Sequence, residues 1–289
     1  MPKTHRLAAS LIPLILILIA ILNCTLYSTA NATPLMPELR GNQFVLRAKF
    51  TTTYEKSINE RKHNIKLASK SLNKTFIETG AEFSFNQTVG ARTEKRGYKQ
   101  AKIISNGKFI DGVGGGVCQV STTLYNALLL ADLKITEYHP HSLEVSYCAP
   151  SFDAMVNSGG ADLRFYNDTG MPVYILTSAT DSALTISIYG KKMDYKIERK
   201  SVIKNYLDYL EPETLIDEAG EYPELYEGET QILNYGKRGL KSEGYLVYKD
   251  NSKTIEIKKL RSDKYSSVKG VVVIGTKKRP EMSDIIQEN

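Results

Sequence analysis

Cys118, His141 and Asp153 are the residues whose types, taken together, suit acyl-transfer chemistry at a thiol. Such chemistry needs a cysteine, a histidine in hydrogen-bond reach to hold a thiolate–imidazolium pair, a group that orients the imidazole, and donors for an oxyanion. Cys118 supplies the nucleophile. His141, or else His139, supplies the base, and Asp153, or else Asp162, orients the ring. Backbone N–H groups at the helix start, with Gln119 or Ser121, would meet the oxyanion. The same residues carry plainer readings. Cys118 is also a packing residue or half of a disulfide with Cys148, and His139-Pro140-His141 is also a pair of satisfied polar side chains or of metal ligands. Cys118, His139 and His141 with a water make a catalytic zinc count, but the sequence offers no fuller ligand set. No metal and no cofactor are expected.

The elements that must position these residues centre on Gly112 to Asn126, where Gly114, Gly115 and Gly116 run directly into Val117-Cys118-Gln119. Consecutive glycines let the backbone adopt conformations closed to other residues or approach another group closely. From Val120 the apolar residues Leu124, Ala127, Leu128 and Ala131 recur at the spacing of one helical face. Cys118 therefore sits at or near a helix start, where the helix dipole lowers a thiol's pKa. It lies about 130° from that stripe, on the side of Thr122 and Tyr125, which suits a cleft. Leu129 shares that side, so the helix is expected to be buried nearly all round. Gly114, Gly115, Gly116, Ser121, Thr122 and Tyr125 are the candidate substrate-binding residues.

Around this centre the chain reads as α+β: a central buried helix packed on antiparallel strands, followed by a small all-β module. Phe44 to Thr53 alternates as a strand, and Ser57-Ile58-Asn59-Glu60 predicts a capping box opening a helix from about Ile58 to Asn73. Asn106-Gly107 predicts a hairpin that leads into the glycine loop. His141 to Tyr147 reads as extended, with His141 on the apolar face beside Leu143, Val145 and Tyr147. Strands are expected over 161–167, 172–178 and 183–189, then a boundary near 191–194. Tyr195 to Ile216 is extended or briefly helical, and short alternating runs follow from Thr230 to Ile274 with little core.

Hydrophobic content of 42% and charged content of 24% describe a globular chain, not a disordered one. A net charge of +6 is mild, two of those charges being Lys3 and Arg6, and no basic run is interleaved with aromatics, so nucleic acid is not an expected partner. Lys3, His5 and Arg6 precede an apolar run from Leu7 to Leu22, and Ala30-Asn31-Ala32 supplies a small-residue cleavage pattern. Residues 1–32 therefore read as a secretory signal or an uncleaved N-terminal anchor, which would be the only membrane contact. Cys24 follows Asn23, where a lipoprotein site wants a small residue. Residues 33–50 read as linker and first strand, and 280–289 as a loose tail.

The stretch Asn64-Ile65-Lys66-Leu67-Ala68, Glu82 to Asn86, Gly97-Tyr98, the block Gly112 to Ala127, His139-Pro140-His141-Ser142 and Asp153-Ala154 closely resembles the VanW family, over Thr51 to Lys191. One departure is plain. The family pattern has Pro-Gly-Arg-Asp-Ala-Thr-Val where this chain has Pro150-Ser151-Phe152-Asp153-Ala154-Met155-Val156, and Cys148 stands outside the family motif. Glu227 to Gln231, Gly236, Gly239 and Val273-Ile274-Gly275 resemble a G-five domain, a β module of cell-surface proteins. The domains are thus expected at 51–193 and 194–279.

The resemblance implies an exported envelope protein linked to peptidoglycan and glycopeptide resistance, with aminosugars as a ligand of the β module. It supplies a location and a polymer but no reaction, which rests on Cys118 and the His139-Pro140-His141 segment, and two functions are expected. In one, an extracytoplasmic thiol enzyme cuts or transfers peptide amides of peptidoglycan. In the other, the two domains bind peptidoglycan or another wall polymer without catalysis. The sequence does not fix an oligomeric state.

Overall fold

Residues 44–105 and 107–279 are described by the computed structural model of the protein. The signal or anchor segment, the linker as far as residue 43, Asn106 of the hairpin turn and the tail 280–289 lie outside the described residues. Among the described residues, no helix is long and apolar enough to cross a membrane.

β1 (Val45–Thr53) pairs antiparallel with β9 (Ala183–Gly190), β9 with β8 (Val173–Ala179), and β8 with β2 (Thr75–Ile77). In β9 the alternating Leu184, Ile186 and Ile188 are all fully buried, the period-two signature of one face on a core. Against this sheet pack α1 (Asn59–Leu72) and α3 (Val117–Leu130). Twelve of the fourteen residues of α3 are buried, so the helix is enclosed on all sides, as the position of Leu129 implies. Val120, Leu124 and Leu128 lose all solvent contact, each worth about 1.5–3 kcal/mol of transfer free energy. Arg47 of β1 closes the far end of α3, donating from Nε and Nη2 to the carbonyl of Ala131 at 3.1 and 2.8 Å. A cation there complements the helix dipole.

The hairpin forms as expected from β4 (Gln100–Ser105) and β5 (Lys108–Val113) and delivers the chain into Gly114. β3 (Glu82–Ser84) runs into a short helix, α2 (Phe85–Val89), and joins β7 (Arg164–Tyr166) and β6 (Lys134–Glu137) in a small sheet. The C-terminal region is all-β: β10 (Lys196–Tyr206), β13 (Leu240–Asp250) and β14 (Lys253–Tyr265) form one sheet, and β11 (Glu213–Ile216), β15 (Val271–Ile274) and β12 (Thr230–Asn234) another. Every residue of β11 and β12 is exposed, the thin core foreseen for this module. Ile197, Leu246 and Tyr248 of the other sheet nevertheless join the main core.

Two local expectations fail. No capping box opens α1: Ile58 is its N-cap, without a side-chain hydrogen bond, because the Ser57 hydroxyl instead accepts from Arg61 Nη1 at 3.0 Å. The segment His141 to Tyr147 is not a strand, nor is most of 161–167, where β7 spans three residues. The N–H of His141 goes to a carboxylate and not to a ladder partner, so the segment folds irregularly around a side chain.

Candidate active site

Cys118 is the second residue of α3, and the glycine loop before it is forced by sterics. Gly116, the N-cap, has φ +107°, and a Cβ there would stand 2.9 Å from Ile65 Cγ1. Gly115 is closed by backbone: its Cβ would sit 2.7 Å from the carbonyl oxygen of Lys102 and 2.8 Å from Ala101 C. The loop therefore lies on β4, and the helix start is fixed relative to that hairpin. Gly115→Ala is expected to cost about 1–3 kcal/mol, as overpacking against backbone does. A chemical-denaturation midpoint equal to that of the unsubstituted protein would contradict this close approach.

His141 is 5% exposed and Asp153 1% exposed, so both side chains are withdrawn from bulk water. Oδ2 of Asp153 accepts from the backbone N–H and from Nδ1 of His141, both at 2.7 Å. This double contact fixes the ring plane and leaves Nε2 as the free ring nitrogen, with the Cys118 thiol close enough for the two groups to shift each other's ionisation. Cys118 is half-buried, its Sγ 3.3 Å from the carbonyl oxygen of Val156. Cys118 and Cys148 are both free thiols.

The electrostatics follow from these contacts. Burial alone raises the Cys118 thiol, but the hydrogen bond and charge of His141, with the charge of Arg92, outweigh it and leave the pKa below the ordinary thiol value. Burial alone lowers His141, but Asp153 and Cys118 carry it up to about 9. Burial alone raises Asp153, but His141, Arg261 and Tyr265 bring it down to about 2. A lowered thiol beside a raised imidazole favours the thiolate–imidazolium form of the pair. At Cys148 burial outweighs the neighbouring Arg199 and pushes the thiol up to about 11.

The other oxygen of Asp153 is held by the C-terminal sheet. Oδ1 accepts from Arg261 Nη2 at 2.8 Å and from the Tyr265 hydroxyl at 2.5 Å, both on β14. All four lone-pair positions of the carboxylate are thereby used. Arg261 is 2% exposed at its side chain and is also paired with Asp263, Nε to Oδ2 at 2.8 Å. Opposite Arg261 in the ladder stands Gly244, where a Cβ would lie 2.9 Å from the carbonyl oxygen of Ser151, so the strand admits the Asp153 loop. Ser151, which stands where the family pattern has glycine, takes φ +64°. Its N–H donates to the Tyr265 hydroxyl and its Oγ meets Ser242 Oγ, both at 2.7 Å, which offsets the roughly 1–2 kcal/mol cost of that conformation. Arg261 and Tyr265 were not apparent from the sequence. Their one signal is Arg261, Asp263 and Tyr265 at period two on β14, but Ile255 and Ile257 share that parity and are exposed.

The structure separates the remaining candidates. His139 turns away, its Nε2 2.9 Å from Glu137 Oε1. Asp162 accepts from Ser84 Oγ and the N–H groups of Asn86 and Leu163, tying α2 to its loop and leaving His141 to Asp153. The Gln119 side chain is no oxyanion donor, since its Nε2 is committed to Thr52 Oγ1 and the Thr53 carbonyl at 2.9 and 3.0 Å. Cys118's own N–H, at the second helical position, is among the donors that a helix start leaves without an intrahelical acceptor. Ser121 and Thr122 do not face the cleft: both hydroxyls donate to the carbonyl of Ala154, and Thr122 Oγ1 accepts from the N–H of the same residue. Tyr125 is fully buried, stacked on Tyr138 and beneath Arg261. The helical wheel places Thr122 and Tyr125 beside Cys118, but α3 is enclosed beyond its first turn, so of these candidates Gly116 and Cys118 keep exposure to solvent space. That space is a cleft of about 1210 Å³, lined by Gly114–Gly116, Cys118 and His141 and, from the C-terminal module, by Lys237, Arg238 and Val268.

Comparison with known proteins places these residues in a family. The pattern described as VanW like protein matches residues 60–189, and that described as G5 domain matches residues 217–277. YoaR of Bacillus subtilis (strain 168), an uncharacterised protein, is 40% identical over 142 residues, which are 49% of this chain and 47% of that one. The vancomycin B-type resistance protein VanW of Enterococcus faecalis (strain ATCC 700802 / V583) is 30% identical over 148 residues, 48% and 54% of the two chains. The chain thus spans about half the length of these curated relatives. Among solved structures, HP0197-G5 is 20% identical with a TM-score of 0.16, covering 29% of this chain and 100% of its own. The IgA1 protease G5 domain is 22% identical with a TM-score of 0.19, covering 30% and 96%. With the glycine–cysteine block, the His-Pro-His segment and Asp153 all inside the first match, the chain carries a VanW family domain over residues 60–189 and, after it, a G5 domain over residues 217–277.

Proposed function

We propose that this protein is an extracytoplasmic thiol enzyme acting on peptide amide bonds of peptidoglycan, as hydrolase or acyl transferase. One observation carries the reading: His141, held by Asp153, lines the same cleft as Cys118 at the start of a buried helix, and the two shift each other's ionisation. In the reaction Sγ of Cys118 attacks the carbonyl carbon of the amide. The oxyanion meets the N–H of Cys118, and imidazolium Nε2 protonates the leaving amine as the C–N bond breaks. The resulting thioester is resolved by water or by an acceptor amine, which His141 deprotonates, and the thiolate is restored.

Peptidoglycan as the polymer is supported by the vancomycin resistance in the name of the Enterococcus faecalis relative and by the accompanying G5 domain, whose resemblance implies aminosugar binding. Export is supported by the basic and apolar N-terminal segment, which serves as signal or anchor. A part in glycopeptide resistance belongs to the same proposal.

The test is incubation of the full protein with purified sacculi, followed by mass spectrometry of new amino termini and new cross-links. Cys118→Ser is expected to lower product formation by about a hundredfold or more. Binding of sacculi without any change in their peptides, equal in Cys118→Ser, would establish the non-catalytic wall-binding protein instead.

A further inference from the structure

Two arginines flank the glycine loop on either side of the thiol. Arg61, on α1, lies so close to the loop that a Cβ on Gly116 would stand 3.1 Å from its Cγ. Arg92 does the same at Gly114, where a Cβ would stand 3.0 Å from Arg92 Cβ. The loop's glycines thus admit two guanidinium-bearing side chains beside the helix start. Both arginines line the cleft with Cys118.

Among the described residues neither guanidinium forms an ion pair with a carboxylate, and Asp162, whose charge acts on Arg92, is itself paired with Arg164. Arg61 donates to neutral oxygens, Nη2 to Gln119 Oε1 at 2.7 Å and Nη1 to Ser57 Oγ at 3.0 Å. Arg92 Nη2 donates to Asn86 Oδ1 at 2.6 Å. Their remaining surroundings are aromatic, Tyr147 for Arg61 at 5.9 Å and Phe85 for Arg92 at 5.6 Å. Burial lowers both below the ordinary arginine value. Two lysines of the cleft differ, Lys102 being matched by Asp111 and Lys237 by Glu144, at 2.9 and 2.8 Å, while Lys56 is exposed to solvent and Arg238 donates to the Leu207 carbonyl. Glu55, the remaining acid of the cleft, is exposed.

A charge count around the sulfur then leaves a surplus. The thiolate and Asp153 bring two negative charges, against the imidazolium, Arg61 and Arg92; Arg261 is matched by Asp263. A partly desolvated cation without a counter-ion is costly, and a planar guanidinium is shaped to receive a carboxylate through paired N–H donors.

We propose that Arg61 and Arg92 form an anion subsite beside Cys118 that receives a free carboxylate flanking the scissile amide. The word substrate rests on the thiol-enzyme reading, but the subsite is testable without it. The probes are iodoacetate and iodoacetamide, which alkylate the same sulfur with loss of iodide and differ in a carboxylate. The ratio of their rates is independent of how much thiolate is present, so it reads the subsite alone.

For Cys118 in the full protein, the iodoacetate-to-iodoacetamide ratio is expected to exceed that of a free cysteine by about tenfold, and Arg92→Gln and Arg61→Gln each to abolish most of that excess. Arg92→Lys, which keeps the charge, is expected to retain part of it and so separates lost charge from lost fold. A ratio equal to that of free cysteine would overturn the subsite, whatever the absolute rates. A ratio unchanged in both glutamine variants, even with both rates reduced, would overturn it as well. Slow alkylation by both reagents with a raised ratio would instead count against the thiolate and leave the subsite standing.

Discussion

His141→Gln is expected to slow alkylation of Cys118 by iodoacetamide at pH 7 by tenfold or more. In the unsubstituted protein the thiol is held below its ordinary pKa by His141, against a burial that pushes it up. Without the imidazolium that burial is opposed by Arg92 and the helix start alone, and a thiol at or above the ordinary value is only a few per cent ionised at neutral pH. The sign of the pH dependence follows from the two shifts. Below the lowered thiol pKa the sulfur is protonated and reactivity falls. Between that value and about 9 the thiolate–imidazolium pair persists, and above about 9 the imidazolium loses its proton. Turnover, which needs that proton for the leaving amine, is therefore expected to fall on both flanks, whereas alkylation falls only on the acid side. Equal alkylation rates in His141→Gln and the parent at pH 7 would remove His141 from the site.

Arg261→Met is the second large effect. It removes from a nearly waterless site the cation that sits 2.8 Å from Asp153. Deleting one partner of a buried ion pair costs about 3–5 kcal/mol, because the other charge is left uncompensated. Chemical denaturation reads this directly, and a loss below about 1 kcal/mol would contradict the clamp. Acid titration adds a signature that a simple packing defect lacks. Asp153 is depressed to about 2, so its contribution to stability is present above the ordinary carboxylate pKa and is lost as pH falls toward about 2. In Arg261→Met the Asp153 pKa rises toward the ordinary value, so that contribution is smaller and acid unfolding begins at a higher pH. Because Asp153 orients His141, thiol reactivity is expected to fall in the same variant. The G5 domain and its flanking strands would then be needed to hold the nucleophile's base in place.

What could be read from the sequence was local. The glycine loop, the helix after it and the hairpin before it are encoded in contiguous residues, and all three are present. His141 was placed inward because it shares parity with Leu143 and Val145. It is indeed buried, but through an Asx-like loop around Asp153 and not through strand pairing. Periodicity records a face, and an irregular segment has none. Ser121, Thr122 and Tyr125 were assigned to a cleft because a helical wheel distinguishes faces of one helix but not what covers them. Here the loop at Ala154 and the tyrosine pair with Tyr138 cover that side. Arg61, Arg92, Arg261 and Tyr265 reach the site across gaps in sequence that no motif spans, from Asp153 to Arg261 more than a hundred residues. As isolated charged residues in a helix, a turn and a strand, they read as solvated surface.

The central claim is that pairing with His141 holds the Cys118 thiol below its ordinary pKa. The most direct measurement is the ultraviolet thiolate absorbance of the full protein as a function of pH, taken as the difference from Cys118→Ala so that the other cysteines cancel. The expected titration has its midpoint below the ordinary thiol value of about 8.5. A difference signal that appears only at or above about 8.5 would show an ordinary thiol and contradict the account.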